Sequence, residues 1–426
     1  MTLLEQAKKG IITSEMKQVA KQENKTPKFI RQKLAAGNIV IPCNQNHEKL
    51  KPEGIGEGLS TKINANIGTS EDYSDIDTEL KKLKIALKYG ADAVMDLSTG
   101  DKIKQTRQQV IKHSTVPVGT VPIYQAMVKA AKTKENVIEL QPEDIFKVIE
   151  EQAQDGVDFI TVHCGLTLNT VNQLKQEGRI SDIVSRGGSF TAGWMLHHQT
   201  ENPLYENFDH LLNISRKYDL TLSLGDGMRP GCLADATDRA QIQELLVLGE
   251  LVQKARKDGV QVMVEGPGHV PFNEIETNIQ LEKKLCQGAP FYVLGPLVTD
   301  SAPGYDHIVS AIGGTLAAVS GADFLCYVTP AEHIGLPTIE EVKEGVMASR
   351  IAAHAADIAC GNKQAVNRDK KMAQARKKLD WSKQIELALD PAKIENSRQL
   401  HNQSQTETCS MCGKYCALKI TDEALS

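Results

Sequence analysis

Residues 220–269 read LTLSLGDGMRPGCLADATDRAQIQELLVLGELVQKARKDGVQVMVEGPGH. A short leucine-rich strand pattern ends in Gly-Asp-Gly. A charged amphipathic helix pattern follows over 238–259 and stops at Gly259, and VQVMVEG then begins a second strand. Glycine at a helix end supplies the left-handed cap. Strand, helix and strand in this order mean parallel strands joined by a crossover. Both strands run into chemistry, Asp226 and Arg229 after the first, Glu265 and His269 at the end of the second.

The same unit recurs on both sides. The strand candidates are INANIG (63–68), AVMDLS (93–98), VPVGTVPIY (116–124), FITVHCG (159–165), DIVSRGG (182–188), LTLSLGDG (220–227), VQVMVEGPGH (260–269), FYVLGPL (291–297) and FLCYVTP (324–330). Helices DIDTELKKLKIALKYG (75–90) and PEDIFKVIEEQAQDG (142–156) again end on glycine. The alternation fits an α/β fold, either a closed (β/α)8 TIM-type barrel or an open doubly wound sheet. In a barrel every strand delivers its C-terminal end to one mouth, whereas an open sheet gathers function at one switch point. Polar and reactive residues recur at the strand ends: Asn66, Met95, Tyr124, His163, Ser185 with Arg186, Asp226 with Arg229, Glu265 with His269, Tyr292 and, after the last strand, His333. The barrel is therefore expected, with one of the nine candidates serving as a loop or edge piece.

The flanks divide the chain into three expected parts. Residues 1–59 read as a small helical cap, with a helix pattern to about Gln22, a second over Thr26–Ala36, and a short strand at IVIP. Residues 60–361 carry the barrel. Residues 362–426 begin as highly charged helix, pass through the polar SRQLHNQSQTET, expected to be a mobile linker, and reach CSMCGKYC.

The chain has 426 residues, 41% of them hydrophobic, and a formal net charge of −5. That is ample for one large core with appendages, and the negative balance argues against a nucleic-acid footprint or a polybasic membrane patch. No apolar run reaches the length of a membrane-spanning helix, and MTLLEQAKKGIITSEMKQ lacks the apolar centre of a secretory signal. A cytoplasmic location is expected. Six of the nine cysteines (Cys43, Cys164, Cys232, Cys286, Cys326 and Cys360) are scattered, and for most of them burial as a small hydrophobe is the simpler reading.

The other three, Cys409, Cys412 and Cys416, fall within eight residues as C-x-x-C-x-x-x-C. Three thiolates can hold three irons of a [4Fe–4S] cluster and leave the fourth iron open. An open iron is what S-adenosylmethionine needs for chelation and reductive cleavage. The alternative is a structural zinc site, which wants a fourth ligand, His401 being the nearest candidate. At the barrel mouth, Ser185-Arg186-Gly187-Gly188 suits a phosphate, although such a sequence also makes ordinary turns. Asp226-Gly227-Met228-Arg229 repeats the theme, or forms an internal ion pair. His269 and His333 can share a divalent ion, or be unrelated surface residues.

KINANIGTS, MDLSTG, VPIYQA, SRGGS, LSLGDGMRPG, VMVEGPGHVP, FYVLGPLVTD, APGYDH, CYVTPAEH and CSMCGKYC together resemble the thiamin pyrimidine synthase (phosphomethylpyrimidine synthase) family of radical S-adenosylmethionine enzymes, in its compact form. The resemblance runs from about residue 60 to Cys416. It implies a (β/α)8 barrel in a homodimer whose cluster tail completes the partner's active site, fed by a low-potential electron donor. The implied cofactors are a [4Fe–4S] cluster, S-adenosylmethionine and a divalent metal, Zn2+ or Fe2+. The implied substrate is 5-aminoimidazole ribotide, and the product 4-amino-5-hydroxymethyl-2-methylpyrimidine phosphate, with formate and carbon monoxide released. Carried over by position, the substrate contacts are Asn66, Met95, Tyr124, His163, Ser185, Arg186, Gly187, Asp226, Gly227, Met228, Arg229, Glu265 and Tyr292. Glu265 is also a catalytic candidate, His269 and His333 are implied metal ligands, and Cys409, Cys412 and Cys416 are implied cluster ligands. A paralogous group makes 5-hydroxybenzimidazole from the same substrate and cofactors. A metal-dependent barrel hydrolase or lyase with a zinc-binding tail is the reading from another class.

Overall fold

The computed structural model describes residues 1–133, 137–401 and 407–425. Eight strands close a parallel barrel: β3 (Lys62–Ile67), β4 (Ala93–Asp96), β5 (Val118–Thr120), β6 (Phe159–Val162), β7 (Thr221–Leu224), β8 (Val262–Gly266), β9 (Phe291–Leu294) and β10 (Phe324–Cys326), with β10 pairing back on β3. A two-stranded antiparallel ribbon, β1 (Ile39–Val40) and β2 (Ile55–Gly56), precedes them. Helices fill the crossovers and are cut where the sequence says. Gly90 and Gly156 cap helices Ile76–Tyr89 and Pro142–Asp155 in the left-handed conformation, with φ of 96° and 100°.

Eight of the nine strand candidates lie in the barrel, and DIVSRGG is the exception. Ser185 there is the N-cap of helix Arg186–His198, its hydroxyl accepting from the Gly188 amide at 3.1 Å. Serine ahead of two glycines serves a helix start better than a ladder. VPIY is likewise the start of helix Pro122–Thr133, so Tyr124 stands one turn beyond β5. Near the start of the chain, the single pattern expected to Gln22 is two helices, Leu3–Lys8 and Ser14–Gln22, each capped by a threonine.

These first helices and Pro27–Ala36 bury a small core of their own around Met16, Val19, Ile30 and Leu34. The segment after them meets residues that precede strands, at the N-terminal end of the barrel. Asp158 accepts the Asn44 amide at 2.9 Å and pairs with His47 Nδ1 at 2.7 Å, both side chains buried. Gln261 accepts the Ile41 amide at 2.7 Å, and Lys62 pairs with Glu23. That end is occupied by structure, which leaves chemistry to the other end.

Residues Met1–Ala356 form one compact unit and 357–426 a second. In the second, helix Lys363–Lys377 is tied to the end of Trp381–Leu387, Arg368 donating to the Leu387 and Ala388 carbonyls. Arg398 lies over the Trp381 ring at 3.9 Å. The first residues of SRQLHNQSQTET end helix Pro391–Leu400 rather than forming a linker, and residues 402–406 lie outside the described residues. Among the described residues no helix is long and apolar enough to cross a membrane.

Candidate active site

Side chains alternate across a strand, so residues in register on neighbouring parallel strands share a face. Asn66 is in register with Met95, Thr161 with Ser223, Glu265 with Tyr292 and Cys326 with Asn64. All but Ser223 and Asn64 line one cavity, together with Tyr124, His163, Asp226 and Arg229. Eight of the thirteen expected substrate contacts therefore face one space. Ser185, Gly187, Gly227 and Met228 stand behind its wall, and Arg186 lines the adjoining recess.

The wall has a definite hydrogen-bond order. Oε1 of Glu265 accepts from the hydroxyls of Thr161 and Ser223, each at 2.6 Å. Burial raises its carboxyl above the ordinary range, and those two hydroxyls oppose the rise. Oδ1 of Asp226 accepts from Nη1 of Arg229 at 3.1 Å. Burial, with the nearby Glu265 charge, pushes Asp226 up to about 7. Across the cavity the Asn64 amide donates to the Tyr292 hydroxyl at 2.7 Å and to Asn66 Oδ1 at 2.8 Å, and Asn66 donates to the Cys326 sulfur at 3.1 Å.

His163 is buried, and loss of solvent together with the Arg229 charge lowers it to about 3. Its ring is neutral at neutral pH. Nε2 lies 3.0 Å from Ser185 Oγ, and because that oxygen already accepts from Gly188 N–H, its own proton is free to go to the imidazole. Gly188 presses on the next loop, where a Cβ would stand 2.5 Å from the Gly227 carbonyl oxygen. Arg186 stacks on the Tyr124 ring at 4.9 Å.

His269 and His333 meet, their ring centroids 5.3 Å apart. Nδ1 of His269 is 2.7 Å from Asp300 Oδ1, and Nδ1 of His333 is 3.3 Å from Asp306 Oδ1. A carboxylate on Nδ1 fixes the tautomer that presents Nε2 as a metal ligand. Burial lowers His269, which favours the neutral, ligating form. His333 reaches this position with φ of 62°, a left-handed conformation that histidine seldom adopts.

In the second unit, the Gly413 amide donates to the Cys409 carbonyl at 2.8 Å, closing a turn that brings Cys412 beside Cys409. Amides of Cys412 and Met411 directed at the Cys409 sulfur lower its thiol, while burial and the Cys409 charge raise Cys412. Cys416 starts the next helix and is buried. Among the described residues no three His, Cys, Asp or Glu side chains are gathered into a metal cage. His401 sits at the cap of helix Pro391–Leu400. A turn that supplies N–H groups to a thiolate, with three sulfurs in eight residues, fits a three-cysteine cluster loop.

Several residues of the site carry no signal of their own in the sequence. Thr161, Ser223 and Asn64 look like ordinary strand residues. Cys326, read as a buried hydrophobe, lines the cavity. Glu244 falls in the charged pattern of an amphipathic helix, yet it is buried and accepts the Met228 amide at 2.8 Å. Asp300 and Asp306 were within reach, since each lies inside a motif quoted above, FYVLGPLVTD and APGYDH.

The chain matches the Radical SAM ThiC family over residues 2–423. It is similar to phosphomethylpyrimidine synthases from Desulforamulus reducens (62% identical), Thermoanaerobacter sp. strain X514 (63%) and Moorella thermoacetica (62%), each over 425 residues, covering 100% of this chain and 98% of the relative. Among solved structures, the dihydropteroate synthase from Stenotrophomonas maltophilia aligns with TM-score 0.42 and 12% identity over 71% of this chain and 94% of that one. A family match that takes in cap, barrel and cysteine loop alike leads to one conclusion: the chain belongs to the Radical SAM ThiC family and is a radical S-adenosylmethionine enzyme.

Proposed function

We propose that the barrel mouth binds 5-aminoimidazole ribotide and that the chain converts it to 4-amino-5-hydroxymethyl-2-methylpyrimidine phosphate, with release of formate and carbon monoxide, in thiamin biosynthesis. The observation that carries this reading is the single cavity shared by Asn66, Met95, Tyr124, His163, Asp226, Arg229, Glu265 and Tyr292. High identity along the whole chain to relatives of the same name supports it and favours the pyrimidine phosphate over hydroxybenzimidazole. Family membership also displaces the hydrolase with a zinc tail.

Each group has work that its chemistry suits. The Asp226 and Glu265 carboxyls accept the amine and hydroxyl protons of the substrate, and Glu265 takes part in proton movement. Arg229 balances their charge within the cavity. Arg186, at the first position of a 13-residue helix whose start is held by the Ser185 cap, receives the phosphate. Cys409, Cys412 and Cys416 hold a [4Fe–4S] cluster, which with S-adenosylmethionine and a low-potential donor supplies reductive cleavage to a 5′-deoxyadenosyl radical. His269 and His333 hold one divalent ion, Zn2+ or Fe2+. The chain works as a cytoplasmic homodimer, the cluster tail of one copy serving the mouth of the other.

The cysteine assignment is tested by reconstituting the C409A/C412A/C416A variant anaerobically with iron and sulfide. The expected result is a colourless, folded protein that releases no 5′-deoxyadenosine under reducing conditions. Continued cleavage of S-adenosylmethionine by this variant would refute the assignment.

A further inference from the structure

Beside the substrate cavity lies a second, smaller recess, and Asp226, Arg229 and Glu265 line both. Its wall also carries Glu244, a buried acid from helix Arg239–Lys257. Two carboxyl oxygens here are buried without a hydrogen-bond partner: Oδ2 of Asp226 and Oε1 of Glu244. Buried polar atoms are rarely left so. The other oxygen of each is committed, Asp226 Oδ1 to Arg229 and Glu244 Oε2 to the Met228 amide. Glu244 Oε1 lies against Gly227, where a Cβ would come within 2.9 Å of it, so it sits directly under the residue that follows Asp226.

Two acids that line one recess, each with a buried oxygen that makes no formed hydrogen bond, can be satisfied by a single proton between them. The charged and titratable groups around Glu244 are Asp226 and Arg229 after β7, Glu265 on β8, Cys164 after β6, and Arg179, which is bound to Asp238 and the Met228 carbonyl. Burial and the Asp226 charge push Glu244 up to about 8, against the Met228 and Gly227 amides, which face the carboxyl and oppose the rise. Oε2 already accepts the Met228 amide, so Oε1, which makes no formed hydrogen bond, is the oxygen that can carry the proton.

We propose that Glu244 is a positioning residue for substrate binding: protonated on Oε1, it donates to Oδ2 of Asp226, directly or through one water molecule, and holds Asp226 as a carboxylate between itself and Arg229. The inference rests on the reading that this cavity binds aminoimidazole ribotide. Glutamine at 244 retains both roles, a carbonyl for the Met228 amide and an N–H for Asp226, without a proton to lose. Leucine retains neither.

The experiment is calorimetric titration of the full-length protein with aminoimidazole ribotide from about pH 6 to about pH 9.5. Wild type is expected to lose about tenfold in affinity as Glu244 ionises near pH 8. Glu244→Gln is expected to bind like wild type near pH 7 and to lack that alkaline loss. Glu244→Leu, checked for folding by circular dichroism, should bind about tenfold more weakly throughout. An alkaline loss in Glu244→Gln equal to that of wild type overturns the proposal, and this profile decides the matter whether or not Glu244→Leu folds. Absence of binding by wild type at every pH would instead remove the reading of the cavity, and this inference with it.

Discussion

At Gly187 a side chain has nowhere to go. A Cβ there would stand 2.2 Å from Cε1 of His163, a ring itself buried and bonded to Ser185. Either the imidazole tilts or the start of helix Arg186–His198 backs away, and both spoil the alignment of Ser185 with His163. Gly187→Ala should therefore cost about 1–3 kcal/mol in stability and weaken substrate binding, measured by thermal unfolding and titration calorimetry. Wild-type values in both would show that the close approach carries no function. The paired histidines make a second prediction at this scale. With Nδ1 of each engaged by an aspartate, the Nε2 atoms remain for one ion. The H269A/H333A variant should lose one equivalent of divalent metal by elemental analysis while keeping its cluster iron. Unchanged content beyond the cluster iron would refute the pairing. Arg186, Asp226, Glu265 and the histidines were legible in the sequence because charged residues next to glycine at strand ends are unusual. Thr161 and Ser223 were not, because hydroxyl residues in a strand look the same whether they clamp a buried carboxylate or fill a sheet.

On the scale of the element, helix Ile275–Leu285 carries an acid that costs stability at high pH. Glu282 is fully buried and neither oxygen makes a well-formed hydrogen bond; Lys283 Nζ stands 4.0 Å away, and the Cys286 thiol lies beside the carboxyl. Burial pushes it up to about 8. A raised carboxyl binds its proton more tightly in the folded state than in the unfolded one. Its contribution is complete below the ordinary carboxyl range and is lost as pH rises through about 8. Glu282→Gln has no such proton, so its melting temperature relative to wild type should climb between about pH 6 and about pH 9. A difference that stays constant with pH would mean that Glu282 ionises freely in the fold. Most elements were legible because glycine caps and alternating strands repeat the same two signals. DIVSRGG was misread because Ile183 and Val184 favour a strand, while the Ser185 cap that decides the matter acts on amides three residues later. The two helices before Gln22 were merged for a similar reason, since a continuous charged pattern hides the caps at Thr2 and Thr13.

For the molecule as a whole, the closed barrel divides the labour between its ends. Asn44, His47 and Gln261 bind the first segment to the N-terminal end, while every residue expected to touch substrate gathers at or behind the other. The sequence could reveal that division, because parallel strands in one barrel share a mouth. It could not reveal the recess behind Asp226, since a buried acid on an amphipathic helix becomes visible only when the helix is packed. The central claim is the conversion of aminoimidazole ribotide by radical chemistry at that mouth. Its most direct test is anaerobic turnover of the reconstituted protein with ribose-labelled aminoimidazole ribotide, S-adenosylmethionine and reductant, followed by mass analysis. The account predicts a labelled aminohydroxymethyl-methylpyrimidine phosphate with formate and carbon monoxide, whereas a phosphate-free hydroxybenzimidazole, or untouched substrate, would contradict it.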